Sequence, residues 1–478
     1  MTAGHDVEKA APISKQPSNR DVAPAAAGAD DAAAPADEGF QPPDGGFTAW
    51  SQVVAAALIN SMSWGYPSTF GVFQLYYRDA LRVPDSQISW IGSLQIFLAF
   101  AMCTLSGRLA DAGYVKSTIV AGSFLVVFGT FMTSLCTEYW QIFLAQGLCT
   151  GLGLGIMFMP PIQVVNSYFL KNRSLALALG ATGTGFGSVI FPAAIQYLIP
   201  KVGFPWAVRC AAFLTLFMSV LALLISRPQL KPRKSGPLIE WDAFREGPYL
   251  LFLLGAFLFF WALYFGFFYV RILASPPKCF WMLILFRSTP TLAMSSISPL
   301  PTRFSSSVCQ ACLFSARQQM MKRLTPLTVI TNGLGIPSRP VVGYLADKYL
   351  GPINMYSFAT LVLGCMIFAW TGVTTRTGMY VFSIFFGLAN GAAQGLFTCA
   401  LASLTKDPRK MGTRYGMVCT IIAFASLAGP PTAGAIIDKS GGIYLWAQVW
   451  AGLVIVLASV ALAGCRFAVA GLKPRVKV

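Results

Sequence analysis

Residues 327–348, LTVITNGLGIPSRPVVGYLADK, hold the side chains with the most chemical promise in this sequence. Arg339 lies well inside an apolar run, beside Pro340, with Asn332 two turns earlier. A guanidinium is a planar fork matched to a carboxylate, and in a low-dielectric setting it stays unpaired until an anion arrives. A charge at bilayer depth costs about 3 kcal/mol or more, so its presence there points to anion binding. The competing role is structural: an arginine bonded to backbone carbonyls, or one snorkelling to the membrane interface.

Other polar residues inside apolar runs could join Arg339 around a central cavity. They are Asn332, Asn60, Tyr66, Gln163, Asn166, Asn390 and Gln394. Asn390 and Gln394 are one helical turn apart and can share a face. Tyr264 and Tyr269 are weaker candidates, because their surroundings are aromatic on every side. The competing role for each is an interhelical hydrogen bond, worth about 0.6 kcal/mol on average in membranes. Gly107-Arg108-Leu109-Ala110-Asp111 is echoed by Gly343-Tyr344-Leu345-Ala346-Asp347. Such an echo marks a transporter built from repeats. Asp111, Asp347 and Arg108 are the expected gating residues, with the acids bonding helix ends across the cytoplasmic face; simple capping is the alternative.

The elements that must position these residues are membrane helices. The 478 residues are 55% hydrophobic and 11% charged, with mean hydropathy +0.62, whereas a soluble domain is about 25% charged. Runs long enough to cross a bilayer, about 20 residues each, are expected near 50–77, 88–109, 118–136, 140–165, 175–199 and 206–225. A second set is expected near 249–270, 327–345, 355–373, 379–404, 415–437 and 443–465. The fold class is therefore an all-α polytopic membrane protein of twelve transmembrane helices in two six-helix, pseudo-symmetric halves. The expected organisation is a disordered tail 1–43, a half 44–226, a basic linker 227–247, a half 248–466 and a tail 467–478. Lys and Arg cluster on the face of the linker, which places both termini in the cytoplasm.

The formal charge of +17 does not point to nucleic acid, since the cations lie between apolar runs and form no single patch. The expected partners are a small molecule and the lipid bilayer. The sole histidine is His5, in the tail, and Cys309 and Cys312 form a lone CxxC without a second pair, so no metal, cofactor or enzymatic triad is expected. Residues 271–326 are anomalous. A short connection should stand there, and the Ser/Pro/Cys-rich, cationic stretch reads as an insertion or a retained intron.

Three passages resemble the major facilitator superfamily and, within it, the monocarboxylate-transporter-like family in its fungal form. Asp44-Gly45-Gly46-Phe47-Thr48-Ala49-Trp50 resembles that family's lead into its first helix. Tyr168-Phe169, Lys171, Arg173, Leu175-Ala176, Gly183 and Gly187 resemble its passage into the fifth helix. Arg339-Pro340 with Gly343 is similar to the eighth-helix arginine that engages substrate carboxylate. Ser68 stands where the animal proton-coupled carriers of this family hold a lysine, and Gly335 where they hold an aspartate. Every acid beyond Asp44, from Asp79 to Asp438, also maps to a loop or a span end.

The expected function is a secondary transporter of a small organic anion, a monocarboxylate or related acid, working by alternating access without an intramembrane carboxylate relay. Alternatives are a facilitated carrier of a vitamin such as riboflavin or of a secondary metabolite, or a non-transporting sensor. The plasma membrane is the expected location, with a vacuolar or other organellar membrane as the alternative.

Overall fold

A computed structural model describes residues 44–471 apart from 82, 84, 230–236, 274–326, 328, 374, 406, 408, 409 and 442. The tail 1–43, nearly all of the anomalous stretch 271–326 and the Tyr264 and Tyr269 side chains lie outside the described set. Among the described residues the chain is helix and loop throughout.

The first rod is broken. Helix α1 (Phe47–Asn60) runs into a π-helical turn, Ser61–Gly65, then a 3-10 turn, Pro67–Thr69, before α2 (Phe70–Leu81). Pro67 has no N–H to give to a regular turn, and the wide π turn absorbs the mismatch. There follow α3 (Asp85–Ala101), α4 (Cys103–Asp111), α5 (Val115–Thr133) and α6 (Tyr139–Ile142). A second π segment, Phe143–Cys149, leads into α7 (Thr150–Tyr168). Helix α8 (Arg173–Ile225) has 53 residues, about 80 Å if straight, against a hydrocarbon core of about 30 Å. It bends at Gly203, where φ is 79°, and so crosses twice.

The second half comprises α9 (Gly247–Leu273), α10 (residues 329–345, continuing into the π turn Ala346–Leu350), α11 (Pro352–Trp370), α12 (Arg376–Leu404), α13 (Met411–Lys439) and α14 (Leu445–Ala470). Among the described residues, eight helical stretches are long and apolar enough to cross a membrane. The other expected crossings fall on the broken first rod, on α9 with its apolar part Gly247–Leu263, and on α10. Helix α14 outruns its expected end at 465. The Arg466 Nε donates to Asn354 Oδ1 at 3.0 Å, so this cation is held against α11, and the helix stops at Gly471, where φ is 64°.

Packing relies on small residues where backbones approach closely, as is common between membrane helices. Gly183 and Gly187 lie on α8 against the Ala57 and Ser61 carbonyls, where a Cβ would collide with backbone. The two halves meet where α13 packs on α3 and α4, and where α12 packs on α8. Large apolar side chains such as Phe124, Leu224 and Val460 remain exposed, as lipid-facing surfaces should.

Candidate functional site

Between the halves lies a cavity of about 840 Å³. Arg339, Asn332, Gln394 and Asn60 are all on its wall. Arg339 and Asn332 reach it because they are seven residues apart, two turns, on one face of α10. The Asn60 amide Nδ2 donates to the Gly180 carbonyl at 3.1 Å, tying α1 to α8. Arg339 is 5% exposed, and its Nη2 donates to Gln394 Oε1 at 3.3 Å. Gln394 Nε2 in turn donates to Asn390 Oδ1 at 3.0 Å. The Arg339 Nη1 is buried without a hydrogen-bond partner, and the missing side chains of Gly185 and Gly395 leave room for the guanidinium and its stem.

Four expected residues stand elsewhere: Gln163 and Asn166, which lie off the wall toward the end of α7, and Tyr66 and Asn390. Tyr66 is 0% exposed and absent from the cavity wall; its ring packs on Phe73 and Phe191, with centroids 6.1 and 5.9 Å away. Ala56, Asn60 and Trp64 follow one another at four-residue spacing on the cavity face, so Trp64 meets the cavity and Tyr66, two residues on, turns away from it. Asn390 is buried behind Gln394 and reaches the wall only through it. Sequence reasoning also missed the aromatic lining of Trp64, Phe100, Phe158, Phe260, Phe397 and Tyr415. These rings interlock across the halves: Phe100 with Phe260 at 5.4 Å and Phe158 with Tyr415 at 6.4 Å. In the sequence they are indistinguishable from lipid-facing aromatics. Among the described residues, the charged side chains on the wall are Arg78 and Arg339, with no carboxylate.

The cavity is closed on one face by paired clamps. Asp111, at the end of α4, accepts from the Gly412 and Thr413 N–H groups at 3.0 and 2.7 Å and from the Thr413 hydroxyl at 2.6 Å. Asp347, in the turn after α10, accepts from the Ser174 and Leu175 N–H groups at 3.1 and 2.8 Å. Each acid sits on the free N–H groups at the start of a helix in the opposite half, where the helix dipole favours negative charge. Gly107 permits the first contact, because its α-carbon lies against the Gly412 carbonyl. Arg108 is half-buried in the last turn of α4.

A third acid braces the same helix start. Glu240, from the linker, pairs with Lys410 at 2.5 Å and with Arg414 at 3.2 Å, and Arg414 also pairs with Glu246. Burial pushes the Glu240 carboxyl up, but the Lys410 hydrogen bond and the Arg414 and Lys410 charges outweigh it and hold the group below the usual carboxylate range. At the other end, the wall reaches Arg78, Ser89 and Trp90, near the junction of α2 and α3 and away from the clamps.

Residues 53–277 match the family described as Major Facilitator Superfamily. An MFS-type transporter of Gibberella zeae is 34% identical over 85% of this chain and 83% of its own. The chain belongs to the major facilitator superfamily. Other relatives of this major facilitator protein are the agnestins efflux protein of Paecilomyces divaricatus, 32% identical over 85% of each chain, and the aspyridones efflux protein of Emericella nidulans, 31% identical over 87% of this chain and 77% of its own. The human organic anion transporter MFSD10 has the same fold, with a TM-score of 0.61 at 14% identity, covering 88% of this chain and 100% of that one. The protein is thus an integral, multi-pass secondary transporter of the major facilitator fold.

Proposed function

We propose that this carrier exports a ring-bearing fungal secondary metabolite whose acidic or hydrogen-bond-accepting head docks on Arg339. The observation that carries the reading is a buried guanidinium, with an unpartnered nitrogen, set in an aromatic-walled cavity of about 840 Å³. That volume suits a drug-sized ligand and far exceeds what a small monocarboxylate fills. The flat walls of Trp64, Phe158 and Phe260 favour ring stacking, and the efflux proteins among the relatives agree with such cargo. The likeness to monocarboxylate-transporter-like carriers enters through Arg339 as the head-group ligand, with the cargo body enlarged.

With the linker face cytoplasmic, the clamps hold the cytoplasmic side shut and the cavity faces outward, at the plasma membrane. A wall without carboxylates favours uniport, or coupling through the cargo's own protonation, over an intramembrane proton relay. The test is uptake by purified protein in liposomes, with and without a proton gradient. The probes are fluorescein as a ring-bearing acid, lactate as a small acid and riboflavin as a control without a carboxylate. Fluorescein transport by wild type that falls at least tenfold in Arg339→Ala is expected. Transport of lactate or riboflavin alone, with the variant unchanged, would overturn the reading.

A further inference from the structure

Resting on that cargo reading, we infer that Arg173, Asn166 and Gln163 form a second, loading station for the anionic or acceptor head of the cargo, exposed only when the Asp111 and Asp347 clamps open. The starting observation is a set of buried polar atoms without partners on two consecutive helices. Both amide atoms of Asn166, the Gln163 Oε1 and the Arg173 Nε and Nη2 make no hydrogen bond, and Asn166 is 5% exposed. Buried polar groups are almost always satisfied, and each exception needs an explanation.

Their placement supplies one. Ile162 and Val165 of α7 and Leu177 of α8 line the cavity. Asn166 stands one turn beyond Ile162, and Arg173 one turn before Leu177, so both share the cavity-facing stripes of their helices. Both lie toward the clamp face, where α7 ends at Tyr168 and α8 begins at Arg173. Gln163 is at the Asp111 clamp itself: its Nε2 and the Asp111 Oδ1 flank the point where a Gly412 side chain would project, at 2.6 and 2.7 Å. The three residues therefore continue the cavity axis below Arg339, sealed by the other half.

Charge makes the station depend on state. Asp347 is the acidic neighbour of Arg173, yet both its oxygens are engaged by the Ser174 and Leu175 N–H groups. When the halves separate on this face, Asp347 leaves with the second half while Arg173, Asn166 and Gln163 stay together on the first. The guanidinium and two amides then line the opened mouth, and a cargo anion takes the place of Asp347. Since the anion binds only the open form, it also favours that form. The head group is then handed from Arg173 on α8 to Arg339 on α10, across the cavity.

The test has one arm that needs no cargo. Asn166→Cys is introduced in the full chain carrying Asp111→Asn, which favours the open clamp. The site is then reacted with an anionic sulfonatoethyl and a cationic trimethylammonioethyl thiosulfonate. Site-resolved mass spectrometry gives each rate, normalised to that of free mercaptoethanol. The anionic reagent is expected to be favoured at least tenfold, and adding Arg173→Gln should erase that preference. No reaction with either reagent, no anionic preference, or a preference indifferent to Arg173→Gln overturns the proposal.

In the second arm, Arg173→Gln and Asn166→Asp should raise the fluorescein KM at least fivefold from the clamp face while the opposite-face KM stays within twofold, the opposite-face kcat falling in step so that kcat/KM stays equal in the two directions of a passive carrier. The Asn166→Asp variant is nearly isosteric and sets a negative charge where the cargo head would sit, so it tests charge with little change of shape. An equal rise at both faces overturns the proposal. Failure of wild type to carry fluorescein counts against the cargo reading alone, because the reagent preference is read without cargo.

Discussion

Asp111→Asn removes a charge from the clamp with almost no change of shape. In wild type the carboxylate accepts from Gly412 N, Thr413 N and Thr413 Oγ1 at 3.0, 2.7 and 2.6 Å. The amide oxygen can keep both Thr413 contacts as neutral hydrogen bonds, but its NH2 then opposes the Gly412 N–H, so one charged bond is lost and two are weakened. At about 1.5 kcal/mol for the lost bond and about 0.75 kcal/mol for each weakened one the loss is about 3 kcal/mol, roughly a hundredfold in the ratio of closed to open clamp. Water solvates Asp111 in the open form, so little of this is cancelled there. The assay is a spin-label distance between Lys116→Cys and Lys348→Cys, two exposed positions beside the clamps in opposite halves. Wild type should give one short distance, and Asp111→Asn a large added population at longer distance. An unchanged distribution in a folded variant would refute the clamp as the element that holds this face shut.

Glu240 is held below the usual carboxylate range, so its contribution to stability is present above about pH 4.3, the ordinary glutamate value, and is lost as pH falls through its lowered folded value. Glu240→Gln should lower Tm at neutral pH and flatten the acid limb of Tm against pH measured in detergent; parallel curves would refute this. Trp64→Leu should raise the fluorescein KM by roughly three- to tenfold, the range expected from losing about 0.5–1.5 kcal/mol of ring stacking, with no effect on surface expression. Gly183→Val should drive a side chain into the Ala57 carbonyl and destabilise the bundle by about 1–3 kcal/mol, read as a lower Tm. An unshifted Tm would mean that α1 and α8 can separate freely.

Much of this carrier was legible along the chain because hydropathy is local. A run of apolar residues forms a membrane helix whatever its neighbours are, so the helix order and the depth of Arg339 followed from composition alone. The two Gly-x-Leu-Ala-Asp echoes were likewise visible, although their partners were not. Asp111 finds Gly412 and Thr413 some 301 and 302 residues away, and no local pattern encodes that distance.

Tertiary structure decided which side of each helix meets the cavity. Tyr66 and Trp64 are two residues apart and so face opposite sides, and which side meets the cavity is fixed only by the fold, which sets Asn60 and Trp64, one turn apart, on its wall. Asn390 shares a helix face with Gln394, as their spacing predicts, yet it lies one layer behind the wall because the Gln394 side chain stands between it and the cavity. The unpartnered atoms of Asn166 and Arg173 could be found only after every neighbour was in place. The sequence by itself determined where the chain crosses and which rare charges it carries inside. Contacts between helices and between the halves determined which of those groups face a cargo, since they join residues hundreds of positions apart.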